Sequence, residues 1–220
     1  MRDKIARGWF ALSAVVVLVG LVVQLVVTAR TTGGVFDSPA ARVANVFCFF
    51  TILSNILVGG TSAALALRLN RPSRLFRTLR LDALIGIAVT GVVFHIALAG
   101  LHDLEGAAAL ADLLLHTVSP LLCVVGWLLF GPRPVITATI TPGIAGWSLA
   151  YPVLWLVFTL IRGAITDFYP YPFLDAHAHG YVRVALSCVI VGVLFIGLAF
   201  GAMLLDRLLV RLDRQPVTVA

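Results

Sequence analysis

Charged side chains are scarce in this chain. Asp, Glu, Lys and Arg make up 12% of its 220 residues, whereas apolar residues make up 60%. Soluble globular proteins carry about 25% charged residues, so this composition excludes an ordinary soluble protein and indicates an integral membrane protein. A spanning helix needs ~20 apolar residues, and the length therefore accommodates about six spans with short loops. No room is left for a large extramembrane domain, and residues 1–220 are predicted to form one membrane domain.

The chain also lacks a disulfide framework and an internal repeat. Its three cysteines, Cys48, Cys123 and Cys188, lie inside apolar runs, where single cysteines are usually small buried side chains. Transporters use repeats with paired broken helices, and neither feature is found. The first apolar run is too long for a signal-peptide core and is predicted to be a retained span. The net charge of +6 comes from loop residues and does not indicate a nucleic-acid partner.

The apolar runs predict an all-α fold, a polytopic helical bundle in the membrane. The Gly33-Gly34 pair, a basic loop at 68–80 and Gly131-Pro132 interrupt the runs. The spans are predicted at about residues 9–29, 43–67, 81–101, 111–131, 143–162 and 181–205.

The distribution of basic residues predicts the orientation. Of the sixteen Lys and Arg residues, all but Arg30, Arg42, Arg162 and Arg183 fall at the termini or in the loops between spans two and three and between spans four and five. Cytoplasmic loops carry the excess of Lys and Arg, so both termini are expected in the cytoplasm. The chain is thus predicted to be a multi-pass membrane protein.

Span four carries an ionisable pair, Asp112 and His116. Ionisable groups at membrane depth are costly and mark candidate functional sites. The two residues are four apart and share one helix face, so the carboxylate can hold the imidazole in one tautomer. The alternative is a polar pair at a helix end near the headgroups.

Two further spans carry polar residues at a similar depth. At ~1.5 Å rise per residue, Thr51, His95 and His116 lie roughly 8–12 Å below the same surface. Asn55 lies one turn from Thr51 on the same helix face, and Ser54 is three residues along. A pocket that opens toward the outer leaflet is therefore predicted.

These residue types suit nucleophilic catalysis. The Thr51 hydroxyl becomes a nucleophile when a base such as His116 removes its proton, and Asp112 is placed to orient that base. Donors to an oxyanion are available from Asn55, Ser54 and His95. The alternatives are a threonine bonded to its own backbone and histidines that each make one interhelical hydrogen bond.

Aromatic residues supply further pocket candidates. Tyr151 lies in the middle of span five beside Pro152, where it either lines the pocket or marks a kink. The loop at 166–175 contains Tyr169 and Tyr171 among prolines, and such a loop packs either as a lid or as an interfacial belt.

Haem and metal binding are alternative uses of the histidines. His95 and His116 at similar depth permit a haem between spans three and four. An outward metal site could use a group of His, Asp and Glu residues. Two of them, His177 and His179, are two residues apart, and side chains at that spacing on a helix do not face each other. That group is His102, Asp103, Glu105, Asp112, His177 and His179. Nothing in the flanking sequence favours either site, and we expect no metal and no cofactor.

Three segments together resemble a known family. They are Phe-Phe-Thr-Ile-Leu-Ser-Asn (49–55), Leu-Leu-His-Thr-Val-Ser-Pro-Leu-Leu (114–122) and Tyr-Pro-Tyr-Pro-Phe-Leu-Asp (169–175). Their order and spacing resemble the androgen-induced protein and androgen-dependent TFPI-regulating protein family, specifically its bacterial membrane relatives. The similarity extends over most of the chain through the same layout of about six spans. Since these relatives are bacterial, the resemblance implies a bacterial cytoplasmic (inner) membrane.

The resemblance implies a function. Animal members of the family are multi-pass threonine hydrolases that cleave fatty acid esters of hydroxy fatty acids. By resemblance, Thr51 would be the nucleophile and His116 the catalytic histidine, whereas Asp112 as orienting group is inferred from its spacing alone. We therefore expect a membrane-embedded lipid ester hydrolase whose substrate arrives from the bilayer. The alternative is a non-enzymatic membrane protein that binds a lipid or a small hydrophobic ligand.

Overall fold

The computed structural model describes residues 1–101, 103–131 and 142–213, and within these ranges the chain is helical with no β-strand. Two helices continue into π-helical segments, Phe94–Leu98 after α4 and Leu114–Val118 after α5, and a short 3₁₀ turn covers Pro172–Leu174. The α-helices are α1 (Arg2–Arg30), α2 (Pro39–Val46), α3 (Phe50–Leu67), α4 (Arg74–Val93), α5 (Gly106–Leu113), α6 (Ser119–Phe130), α7 (Pro142–Thr166) and α8 (Ala176–Asp213).

Six helical stretches of the described chain are long and apolar enough to cross a membrane, in agreement with the predicted number of spans. They are Arg2–Arg30, Phe50–Leu67, Arg74–Leu98, Gly106–Phe130, Trp147–Thr166 and Ala176–Arg211. Their outer faces are apolar: on α8, for example, Val182, Leu186 and Ile190 are all largely exposed. Large exposed apolar surfaces are rare on soluble monomers, so these faces are suited to hydrocarbon. The protein is a multi-pass membrane helical bundle.

The second span differs from its prediction. A single helix was expected from residue 43 to residue 67, but the chain forms two helices separated by a break. The first is α2, capped by the Ser38 side chain, which accepts a hydrogen bond from the Ala41 N–H. Phe49 is extended, with φ −79° and ψ 131°, and α3 begins at Phe50. Thr51 therefore lies in the first turn of a helix and not in mid-span.

The basic segment at 68–80 also differs, since its second half is helical. Residues from Arg74 onward form the first turns of α4, and Arg80 is buried below the Phe10 ring, 5.5 Å from its centroid. Arg7 and Arg71 donate to the carbonyls of Ala66 and Ala64 at the end of α3. The Ala64 carbonyl also accepts from the Arg68 N–H, so the arginines add hydrogen bonds to the carbonyls at this helix end.

The core lies between α1, α3, α4 and α6. It contains Val17, Val58, Ile87 and Cys123, all at most 2% exposed. Helix α6 approaches α1 closely at Gly126. There the Trp9 indole of α1 packs on α6, and its Nε1–H donates to the Leu122 carbonyl over 2.9 Å. A Cβ added at Gly126 would lie 2.6 Å from Trp9 Nε1.

Substitution of Gly126 tests this contact. We expect Gly126→Ala to lower the free energy of unfolding by about 1–3 kcal/mol, because the new methyl group overpacks the α1–α6 contact. Gly60→Ala is the matched control: Gly60 is a helical glycine whose added Cβ meets no atom within 4 Å, so this change should be neutral or stabilising. Thermal unfolding in one detergent compares them, and equal effects of the two changes would contradict the packing.

Candidate functional site

One end of the bundle contains a cavity of about 480 Å³. This end, here the site end, includes the end of α1, helix α2, the beginning of α3, the π segment after α4, helix α5 and the loop between α7 and α8. Polar and ionisable side chains in the cavity wall include Arg42, Asn45, Thr51, Asp112, His116 and Tyr171. Four of these, Thr51, Asp112, His116 and Tyr171, were predicted from the sequence as site or pocket residues.

Asp112 and His116 meet as their spacing predicted. His116 Nδ1 lies 2.9 Å from Asp112 Oδ1, and both side chains are partly exposed, at 20% and 27%. The His116 ring also stacks on Phe94, with centroids 4.1 Å apart and planes 10° from parallel. The two atoms are within ion-pair distance, but His116 Nδ1 makes no hydrogen bond of proper geometry to the described residues. The ring is held by its stacking on Phe94, and a proton on Nδ1, beside the carboxylate, would leave Nε2 able to accept another.

A π-helical turn displaces the backbone around His116. The Ser119 N–H donates to the Leu114 carbonyl, five residues back, and residue 120 is a proline without an N–H. The Leu115 carbonyl therefore lacks a donor within its own helix. Asn55 Nδ2 supplies one from α3 over 3.1 Å, and the same nitrogen donates to the Thr51 carbonyl over 2.9 Å. One buried amide thus joins the turn that carries Thr51 to the turn that carries His116.

Thr51 has Tyr171 as its hydrogen-bond partner. The Thr51 N–H donates to Tyr171 Oη over 3.1 Å, and Thr51 Oγ1 lies 3.1 Å from the same oxygen. Because Oη accepts from the backbone, the phenol proton can be directed at Thr51 Oγ1, and the threonine proton stays available. Burial raises the pKa of Tyr171, an effect only partly offset by its hydrogen bonds to Thr51. The phenol is therefore a neutral donor.

A second cavity, of about 310 Å³, lies on the other side of Thr51. Its wall is almost entirely apolar and is formed by α4, α7, α8 and the loop before α8. Thr51, Leu98 and Tyr171 line both cavities. Thr51 and Tyr171 therefore belong to a wall between a partly polar space and an apolar one.

The remaining candidates lie away from the cavity walls. Ser54 Oγ lies 3.0 Å from Tyr151 Oη, and both residues lie outside the two linings. His95 was predicted near Thr51, but it is exposed, with Nδ1 2.8 Å from the Gly91 carbonyl and Nε2 3.3 Å from Thr117 Oγ1. Tyr169 packs on Gly163, and Asn55 acts on the backbone. The predicted oxyanion donors Ser54, Asn55 and His95 thus lie outside both cavity linings, and their role in catalysis stays a prediction.

The arrangement also bears on the haem and metal alternatives. His95 does not share the cavity of His116, because Phe94 occupies the corresponding wall. Within residues 1–101, 103–131 and 142–213, no group of three or more His, Cys, Asp or Glu side chains could hold a metal ion. His102, which was part of the suggested metal group, lies outside the described residues. His177 instead pairs with Asp167, with His177 Nε2 3.1 Å from Asp167 Oδ1.

Sequence reasoning missed the stacking of Phe94 on His116 and the polar wall formed by α2. Pro120, four residues after His116, was an available signal for the π turn, because its missing N–H leaves a carbonyl without a donor. For the break at residues 47–49 there was no such signal, since the segment Phe-Cys-Phe contains no glycine, proline or asparagine.

Comparison of the chain with protein-family models, with curated proteins and with solved structures found no match. The family resemblance described above therefore stays a prediction, and the function is argued from the site.

The link made by Asn55 is testable in a double-mutant cycle. Asn55→Leu should cost about 1–3 kcal/mol of unfolding free energy, because it leaves the buried Leu115 carbonyl without a donor. Pro120→Ala restores an N–H at position 120, so Asn55→Leu should cost about 1 kcal/mol less in that background. Unfolding of the four proteins in one detergent gives the interaction energy. An identical cost of Asn55→Leu in both backgrounds would contradict the assigned role.

Proposed function

We propose that the protein is a membrane-embedded lipid ester hydrolase with Thr51 as nucleophile and His116 as base. The observation that carries the proposal is that Thr51 and the Asp112–His116 pair line one cavity, while Thr51 also borders an apolar cavity. The resemblance of residues 49–55 and 114–122 to a family of threonine hydrolases predicts the same two residues. No cofactor is required for this chemistry.

The proposed reaction has two steps. Thr51 Oγ attacks the ester carbonyl while His116 Nε2 takes its proton, and collapse of the tetrahedral intermediate expels the alcohol, which receives that proton. Water then attacks the acyl-threonine, again losing a proton to His116, and the carboxylic acid leaves as Thr51 is restored. Asp112 holds the imidazole and stabilises its charged form. Thr51 Oγ1 bonds Tyr171 in the ligand-free protein, and catalytic hydrogen bonds often form only when substrate is bound.

The two cavities suggest the substrate class. Ligand pockets are usually about 300–1,000 Å³ and mostly apolar with a few polar groups, and both cavities fall in that range. An ester bond at Thr51 would place an apolar acyl chain in the apolar cavity and the rest of the molecule in the partly polar one. Because the apolar cavity lies between membrane-spanning helices, the acyl chain would arrive from the bilayer.

The membrane setting completes the proposal. Arginines concentrate at the end of the bundle opposite the site, on α1, α4 and α8 and in the segment before α4. By the positive-inside tendency we infer that both termini lie in the cytoplasm and the site end outside, and with the family resemblance this supports a bacterial cytoplasmic membrane as the proposed location.

A second function is favoured by the hydrogen bond between Thr51 and Tyr171. In this reading the protein binds a lipid or a small hydrophobic ligand without cleaving it, and the Thr51 hydroxyl serves only to hold the aromatic loop in place. Reactivity of Thr51 distinguishes the two functions.

The first test is covalent labelling with an alkyl fluorophosphonate, read by intact mass. We expect one adduct on the wild-type protein and none on Thr51→Ala, because only an activated hydroxyl attacks the phosphorus. Thr28→Ala is the matched control, since Thr28 lines the same cavity, and it should label as the wild type does. Absence of an adduct on the wild type, with a short-chain probe as well, would favour the binding function.

The second test concerns the base. His116→Ala should slow labelling by about 10²–10⁴-fold, the usual contribution of a general base. His95→Ala is the matched control, since His95 lies on the neighbouring π segment outside the cavity, and it should leave the rate unchanged. Equal rates for wild type and His116→Ala would remove His116 from the mechanism.

A further inference from the structure

Helix α2 presents two hydrogen-bond donors to the cavity at the site end. Arg42 and Asn45 both line this cavity and lie three residues apart, on one face of the helix. The mechanism proposed above uses neither residue. Both residues precede Thr51 in the sequence and line the same cavity, so we ask which ligand group they would bind.

The Arg42 guanidinium is only partly used by the protein. Its Nη1 donates to the carbonyls of Phe36 and Asp37, over 3.1 and 2.8 Å, which fixes the group in place. Its Nε is buried and has no hydrogen-bond partner in the described parts of the chain. Because Nε is closed off from the cavity space, a ligand would reach the guanidinium at Nη2, which makes no hydrogen bond to the described residues while Arg42 lines the cavity.

The Asn45 amide is oriented by a second arginine. Arg162 Nη2 donates to Asn45 Oδ1 over 2.8 Å, so the other end of the amide, the Nδ2 donor, is left to face elsewhere. The Arg162 guanidinium packs against the touching rings of Phe36 and Phe168, 5.3 and 5.4 Å from their centroids. These aromatic contacts hold the positive charge of Arg162 next to α2.

The distribution of arginines points to the same part of the cavity wall, around α2. Among residues 1–101, 103–131 and 142–213, four arginines lie at the site end, and the positive-inside tendency disfavours basic residues there under the proposed orientation. Two of the four, Arg42 and Arg162, are partly buried around this cavity wall, whereas Arg30 and Arg183 are exposed. The acidic group of the cavity, Asp112, lies against His116.

We propose that Arg42 and Asn45 form a binding site for the anionic headgroup of an amphiphile whose chain extends past Thr51. The chemistry is that of a carboxylate or a phosphate, which accepts hydrogen bonds from the Arg42 guanidinium and from Asn45 Nδ2 in the field of Arg162. The proposal deepens the hydrolase function, since it adds an anionic end to the substrate class, and rests on that function for the substrate role. Binding itself does not require cleavage.

The test measures binding of three probes of equal chain length, namely dodecanoate, dodecyl phosphate and dodecanol. The protein is held in phosphatidylcholine nanodiscs, and each affinity is obtained from the concentration dependence of the thermal unfolding midpoint. We expect at least one anionic probe to bind about tenfold or more tightly than dodecanol, as one charge-assisted hydrogen bond provides. Preference for dodecanoate identifies a carboxylate ligand, and preference for dodecyl phosphate identifies a phosphate headgroup.

Three variants locate the preference. Arg42→Gln should abolish it, and Asn45→Asp should do so while keeping an oxygen that accepts from Arg162. Arg183→Gln, an exposed arginine at the same end, is the matched control and should retain it. Equal binding of all three probes by the wild type would overturn the proposal. So would a preference that survives both α2 changes or disappears in the control. Because no probe contains an ester, these outcomes are independent of whether Thr51 is a nucleophile.

Discussion

Backbone groups without helical partners have to be satisfied by side chains in a membrane, because the hydrocarbon supplies no water to take their place. Two neighbouring spans of this protein contain π turns, and the second span begins after a break in the helix. Asn55 donates to the Leu115 carbonyl and the Trp155 indole to the Cys48 carbonyl, whereas His95 adds a contact to the Gly91 carbonyl, which also accepts from the Phe94 N–H. The Asn55 contact matters most, since it joins the turns that carry Thr51 and His116.

The same requirement explains why several polar residues are not cavity residues. When only the sequence is known, a histidine or asparagine inside a span is equally suited to catalysis and to hydrogen bonding with an unpaired backbone carbonyl. His95 and Asn55 were both taken as oxyanion donors, and both serve carbonyls in the structure. His116 differs because its Nδ1 faces the Asp112 carboxylate, and its ring is stacked on Phe94. A carboxylate one turn away was the feature in the sequence that separated it from His95.

The fold was largely predictable, because six apolar runs of sufficient length need little more than counting. Helix boundaries were less predictable than the number of spans. The glycine and proline residues between spans one and two indicate the break there, but the residue types at 47–49 do not indicate the break between α2 and α3. Helix periodicity predicts which side chains of one helix lie together, and it therefore predicted the Asp112–His116 pair. Tyr171 as the partner of Thr51 depends on how a loop 120 residues away folds back, and periodicity carries no such information.

The Thr51–Tyr171 wall has a kinetic consequence. A molecule that occupies both cavities lies beside the Tyr171 phenol, which lines both of them, so we expect the loop carrying Tyr171 to move as such a molecule is seated. Under those conditions the observed association rate of a long two-part ligand rises with concentration only to a plateau, which is the opening rate of the loop. A ligand short enough for one cavity avoids that step, and its association rate stays proportional to concentration.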